Sequence, residues 1–267
     1  YGTSQVRPLI VGATALHVNA DQRQLRDLAY VFSDDAFISQ EISLLAKHLT
    51  RPGIVELANC QNPDGIIWCV LKSGGLCGLT YLREQEVAGW HRHETLGRVM
   101  SAACIPEDGF TETWLAVERA NGTFIERMKA PWDGENTNEP GCWYVDSGLM
   151  YEGEAATRIS GFEHLEGQEV NVLADGAAHE RVKVQDGAIT LDFAASRVIA
   201  GLPYTWALSP MRLEGVSERG TAQGKKVKFT KVMARLYKSL GVHWEKTGQN
   251  APPWPLAPRD VYMAMEA

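Results

Sequence analysis

Short apolar runs rich in Val, Ile, Leu, Trp and Tyr follow one another along most of the chain, each bounded by a cluster of turn-forming residues. That texture predicts strands and tight turns, with little helix. The turn signals are Asn62-Pro63-Asp64-Gly65, Ser73-Gly74-Gly75, Asp108-Gly109, Asn121-Gly122, Asp133-Gly134, Asp175-Gly176 and Asp186-Gly187. Asn-Gly and Asp-Gly between strands favour hairpin turns whose central residues need positive φ. One stretch has helical spacing: Ile38, Ile42, Leu45 and Leu49 fit a helix over Asp35 to Leu49, and the same residues also read as a loop with one or two helical turns.

The strands recur as a unit. Cys60 to Gly65 leads into a strand at Ile66–Lys72, a glycine turn and a second strand at Leu76–Arg83. Cys104 to Gly109 leads in the same way into strands at Thr113–Glu118 and Thr123–Met128, so that Trp68 and Trp114 hold equivalent places 46 residues apart. A fainter copy comes first, with Leu16 lying 52 residues before Trp68. A spacing of about 45–50 residues with several strands per unit is the pattern of propeller blades, which bury their faces against neighbours. Three units cannot close a ring, because about four or more are needed.

Beyond the repeats the pattern changes. Residues 131–160 read as a connection of low periodicity. Gln168–Leu173, Glu180–Val184 and Ile189–Phe193 alternate apolar and polar positions and are joined by Asp-Gly turns. They predict a small antiparallel barrel or sandwich over 161–215. Gly224–Gly241 is basic and fits both strand and helix spacing, and Pro252–Pro258 is expected to be extended. The fold class predicted is all-β: partial propeller-like blades over 1–130, a connection over 131–160, the small domain over 161–215, and a C-terminal segment over 216–267.

Composition narrows the classes of function. Hydrophobic residues make up 45% of the 267, enough for a sizeable core. A net charge of -7 argues against a general nucleic-acid binder, yet it suits a wall past which DNA slides without sticking. No apolar run is long enough for a membrane-spanning helix. The five cysteines are widely spaced without a C-x-x-C pair, so they read as buried free thiols and not as a zinc site.

Two stretches carry a family resemblance. One runs from Gln61-Asn62-Pro63-Asp64 and Trp68-Cys69-Val70 to Gly78-Leu79-Thr80-Tyr81-Leu82-Arg83-Glu84-Gln85-Glu86-Val87-Ala88-Gly89-Trp90-His91-Arg92-His93. The other joins His164-Leu165-Glu166-Gly167 with Val170–Gly176 and Gly201-Leu202-Pro203-Tyr204. In this order they resemble the tail nozzle proteins of short-tailed phages, also called tail tubular protein B or tail stabilisation proteins, over roughly residues 20–245. The resemblance implies a structural part of the virion tail, made in the host bacterial cytoplasm. It implies a homo-oligomeric ring, commonly of six, that contacts an adaptor above and fibres or a plug below and forms a channel wall for DNA. It also implies an extended conformation for the basic segment, which would return to the first domain. Family members are longer, so the chain, which starts at Tyr1, is expected to be a central-to-C-terminal part or an unusually short member.

Few residues suggest chemistry. His91 and His93 share a strand face and are candidate metal ligands, with Glu84 or Glu94 as a third. Glu84 and Glu86, taken as strand neighbours about 7 Å apart, have the spacing of an inverting carboxylate pair. That pair supports the alternative of a carbohydrate-binding or glycan-cleaving tail propeller. No nucleophile elbow, phosphate loop or dinucleotide fingerprint occurs. The expectation is therefore no enzyme and no cofactor. Trp68, Trp90 and Trp114 are expected in the core. Lys225, Lys226, Lys228 and Lys231, with Trp132 and Trp206, are the candidate interface residues, lysines for an acidic neighbour or DNA and tryptophans as anchors.

Overall fold

The computed structural model describes residues 2–63, 65–107, 109–129 and 143–205, positions 207, 233 and 235, and the backbone of 243–244 and 254–255. The chain forms two compact units, Tyr1–Tyr204 and Thr205–Ala267. In the second, the described strands are β16 (His243–Trp244) and β17 (Trp254–Pro255), paired antiparallel. The expected basic strand over Gly224–Gly241 lies outside the described residues, apart from two isolated positions.

The first unit is all-β, built of four antiparallel sheets. The first sheet takes β1 (Leu9–Val11), β2 (Thr14–Val18), β3 (Leu25–Val31) and β4 (Ala36–Glu41) in sequence order. The second takes β5 (Ile54–Cys60), β6 (Ile66–Leu71), β7 (Leu76–Leu82) and β8 (Val87–His93). The third has β10 (Phe110–Arg119) between β9 (Arg98–Glu107) and β11 (Gly122–Arg127). Leu16, Trp68 and Trp114 hold equivalent places, as the repeat predicts, each on the second strand of its sheet because β1, β5 or β9 comes before it.

The sheets stack front to back. Each strand sends alternate side chains to opposite faces. The front of the first sheet carries Leu16, Val18 and Leu25. It packs on the back of the second, which carries Leu57, Ile67, Cys69, Cys77, Leu79 and Tyr81. The front of the second sheet carries Ala58, Trp68, Val70 and Leu76 and packs on Val99, Ala102, Leu115 and Val117 at the back of the third. The second sheet is thus covered on both sides, which explains why β6 reads as an unbroken apolar run.

The turns follow local chemistry. Asp175-Gly176 and Asp186-Gly187 have positive φ at both residues, the geometry that tight hairpins require. The connections from β3 to β4 and from β7 to β8 are the same short 3-10 turn, Phe32–Asp34 and Arg83–Gln85, each ended by a left-handed residue, Asp35 or Glu86. This turn is a part of the repeat that apolar spacing did not reveal. It also corrects the carboxylate reading, because Glu84 lies within the turn and Glu86 ends it, so the two are not strand neighbours.

Two expectations change. The helix over Asp35 to Leu49 is instead β4, a 3-10 turn at Leu44–Ala46 and one helical turn, α1 (Lys47–Thr50). Pairing with β3 overrides the helical spacing, because the backbone of 36–41 completes the first sheet. The connection expected over 131–160 contains β12 (Asp146–Ser160), fifteen residues long. Irregular register near Glu152 and Ala156 breaks its alternation, so sequence periodicity missed it.

β12 belongs to the fourth sheet, with β13 (Glu169–Ala174), β14 (Ala177–Lys183) and β15 (Ala188–Leu202) in the order β12-β15-β13-β14. Phe162 and Leu165, around a 3-10 turn at Glu163–Leu165, are buried in its core with Val170, Ile189, Val198 and Ala200. Among the described residues no helix is long and apolar enough to cross a membrane.

Trp68 is buried in a closed junction between sheets, whereas Trp114 is half-buried on the front of the third sheet. Trp68→Ala is therefore expected to lower stability by about 3–5 kcal/mol, and Trp114→Ala by less than about 2 kcal/mol. Urea titration of both variants checks this; equal losses would contradict the stacking order.

Candidate functional site

Among the described residues, three polar clusters sit between neighbouring sheets, and a further one, Arg26 and His17 bonded to Ser39, lies on the back of the first sheet. The first is Asp27 on β3, buried on the front of the first sheet. Its carboxylate accepts hydrogen bonds from the Gln40 backbone N–H at 2.9 Å, the Tyr81 hydroxyl at 3.0 Å and Arg83 Nη1 at 2.9 Å. A buried carboxylate is tolerable only with such donors. Because Tyr81 is on β7 and Arg83 opens the turn that follows it, this cluster locks the first two sheets together. Burial, reinforced by the bond to Asp27, pushes the Tyr81 hydroxyl up to about 12.

The second place holds the histidine pair. His91 lies opposite Gly78 on β7, which in turn lies opposite Trp68 on β6. Any Cβ at position 78 would come within 2.0 Å of the His91 ring, so glycine is what leaves room for the imidazole. His93 stands next on the same face, with its ring edge-on to Trp68 at 4.9 Å. His91 Nδ1 and His93 Nε2 are 2.7 Å apart and share one hydrogen bond. Two ligands of one tetrahedral zinc would stand about 3.3 Å apart. Among the described residues no group of three His, Cys, Asp or Glu is arranged to hold a metal. Of the third ligands considered, Glu94 pairs with Arg92 at 3.1 Å. Burial, then the neighbouring His91, lowers His93 to about 4, so the pair is neutral at pH 7.

The third place ties the third sheet to the fourth. Arg119, buried at the end of β10, donates from Nε and Nη2 to the two carboxylate oxygens of Glu126, each at 2.6 Å, and from Nη1 to the Leu96 carbonyl at 3.0 Å. Asp146, the first residue of β12, lies 3.5 Å from Nη2 and accepts the Thr95 hydroxyl. Ser147 donates to Glu126, and His164 bonds the Ser147 carbonyl at 3.0 Å. The His164-Leu165-Glu166-Gly167 motif is thereby structural: Leu165 is core, and Glu166 accepts the backbone N–H groups of Asp186 and Gly187 at the hairpin.

All three clusters are closed by partners within the fold, and their chemistry is that of fasteners. Two sheet faces in the stack, by contrast, lie open. The back of the first sheet shows Ile10, Leu28, Tyr30 and Phe37, the last 72% exposed. It holds a depression of about 460 Å³ lined by Thr3, Pro8, Ala15, His17, Leu28, Phe37 and Ser39. The front of the third sheet shows Ile105, Phe110 and Ile125, with Trp114 half-buried among them. Arg127 lies over the Trp114 ring and pairs with Glu112 at 2.7 Å. These faces carry no motif; only the unequal wetting of otherwise equivalent strands marks them.

Of the tryptophans expected in the core, Trp68 is buried and donates to Thr113 Oγ1 at 3.0 Å, Trp90 is half-buried and bonds the Ile42 carbonyl, and Trp114 faces outward. Cys60, Cys69 and Cys77 are buried free thiols. Lys225, Lys226, Lys228, Lys231, Trp132 and Trp206 lie outside the described residues.

His93 is lowered in the fold relative to its ordinary value of 6.5, so folding favours its neutral form. Its contribution is full above about pH 6.5 and is lost as pH falls toward about 4. Chemical unfolding measured across that window is expected to show a falling stability whose slope is shallower in His93→Gln; an unchanged slope would contradict the assignment. At the other cluster, Asp27→Ala removes the acceptor of the Tyr81 hydroxyl and of the partly exposed Arg83 and is expected to cost about 1–3 kcal/mol in the same assay at pH 7.

No family model matches the chain, and no curated protein matches it.

Proposed function

We propose that the chain is a non-catalytic structural part of a phage tail, a section of the nozzle wall through which DNA passes. The observation that carries this reading is the front-to-back stack of like sheets with both ends uncovered. A stack of that kind extends by adding further sheets and so builds walls. Propeller blades pack by the same rule, and the repeat of about 45–50 residues has their length. The resemblance in Gln61–His93 and His164–Tyr204 points the same way, and these stretches fall on strands, turns and core. The net charge of -7 suits a surface from which DNA must slip free.

The competing reading, a glycan-cleaving or glycan-binding tail propeller, requires tryptophan and paired carboxylates in one pocket. The depression on the first sheet is lined by neither, and Glu84 and Glu86 lie at a turn. The wall reading is therefore the better supported.

Electron microscopy of the purified chain tests it. Ring-shaped or tubular assemblies are expected, weakened by salt wherever charged surfaces hold the copies together. Uniform monomers at every concentration and salt would overturn it.

A further inference from the structure

We infer that the back of the first sheet and the front of the third are the two halves of one head-to-tail interface between copies of this chain. This rests on the wall reading and names the surfaces that would build it.

The argument is the repeat itself. Ala15 pairs with Leu28 across the first sheet as Ile67 pairs with Leu79 across the second, and Tyr30 and Tyr81 stand two residues further along. The open back of the first sheet therefore holds the same place in the repeat as the back of the second, which the first sheet covers, with His17 and Arg26 where the second has Cys69 and Cys77. At the other end, Trp114 pairs with Ala103 and Arg127 as Trp68 pairs with Ala58 and Gly78. The front of the third sheet holds the same place in the repeat as the front of the second, with Arg127 where the second has Gly78. The fold thus holds one uncovered socket and one uncovered plug of a junction that it already makes twice internally.

The fit extends to the anchor. In the junction between the second and third sheets, the Trp68 indole donates to Thr113. Thr113 immediately precedes Trp114, as Ala15 precedes Leu16. A third sheet docked by the same rule on another copy's first sheet brings Trp114 over Ala15. That is where the 460 Å³ depression lies, with Thr3, His17 and Ser39 in its lining to meet an indole N–H. Leu28 and Phe37 supply apolar walls. Tryptophan seated in a preformed pocket is the usual anchor of a protein interface. Because the two surfaces differ, the contact is heterologous, and it propagates into a ring or a filament without closing as a simple twofold dimer.

The test uses sedimentation equilibrium of the full chain with one variant at each end. Phe37→Glu alters the back of the first sheet. Trp114→Glu alters the front of the third, and Ile125→Glu, at a position 69% exposed, repeats that test where folding is not at stake. Melting curves confirm that each variant is folded. Each variant alone is expected to associate at least about tenfold more weakly than the unaltered chain. An equimolar mixture of a back variant and a front variant retains one intact socket and one intact plug, so it is expected to form one-to-one pairs and nothing larger. If the unaltered chain assembles but the variants assemble equally well, or the mixture stays monomeric, the interface assigned here is wrong while the wall reading stands. An unaltered chain that never assembles removes both.

Discussion

Everything in the first unit depends on the burial of the second sheet on both faces. Ile67, Cys69 and Leu79 point one way, and Trp68, Val70 and Leu76 the other, and all are nearly inaccessible to water. A sheet with two apolar faces cannot stand in solvent. It needs a neighbour on each side, and the flanking sheets supply them. Each flanking sheet then has one face buried and the opposite face open.

The polar clusters show how one position in the repeat was solved in three ways. Beside the second-strand residue of each sheet lies Asp27, Gly78 or Arg127. In the first sheet the aspartate reaches into the junction and is held by Tyr81 and Arg83 of the next sheet. In the second sheet the glycine makes way for His91, which pairs with His93 beside Trp68. In the third sheet the position is uncovered, and the arginine lies over Trp114 and pairs with Glu112. Buried polar groups fix which sheet meets which, since a misplaced sheet would strand a charge or a donor. The same logic holds at Arg119, where a bidentate carboxylate and Asp146 set the start of the fourth sheet.

Seen this way, the residues that attract chemical attention serve assembly. The histidines are neutral and bonded to each other, and the buried carboxylate and guanidinium each have named partners. The faces at the two ends of the stack carry exposed apolar residues, Ile10, Tyr30 and Phe37 on one and Ile105, Phe110 and Ile125 on the other. Large open apolar faces of this kind mark surfaces of association, and that is why the proposed function is mechanical.

The sequence by itself determined the local geometry. Alternation and unbroken apolar runs placed β2, β3, β6, β7, β10 and β11, Asp-Gly pairs placed two hairpins with positive φ, and the recurrence of Leu16, Trp68 and Trp114 located the repeat, because strand pleat and turn conformation are short-range properties. Only the tertiary structure decided what lies between strands. It made Trp68 core and left Trp114 half-buried, although they hold equivalent places in the repeat, since burial depends on whether another sheet follows. It turned Ala36–Glu41 from helical spacing into an edge strand, and it carried the interrupted pattern of Asp146–Ser160 through as one long strand by pairing it with Ala188–Leu202. It set Gly78 against His91, a contact between residues on different strands that periodicity within either strand cannot encode.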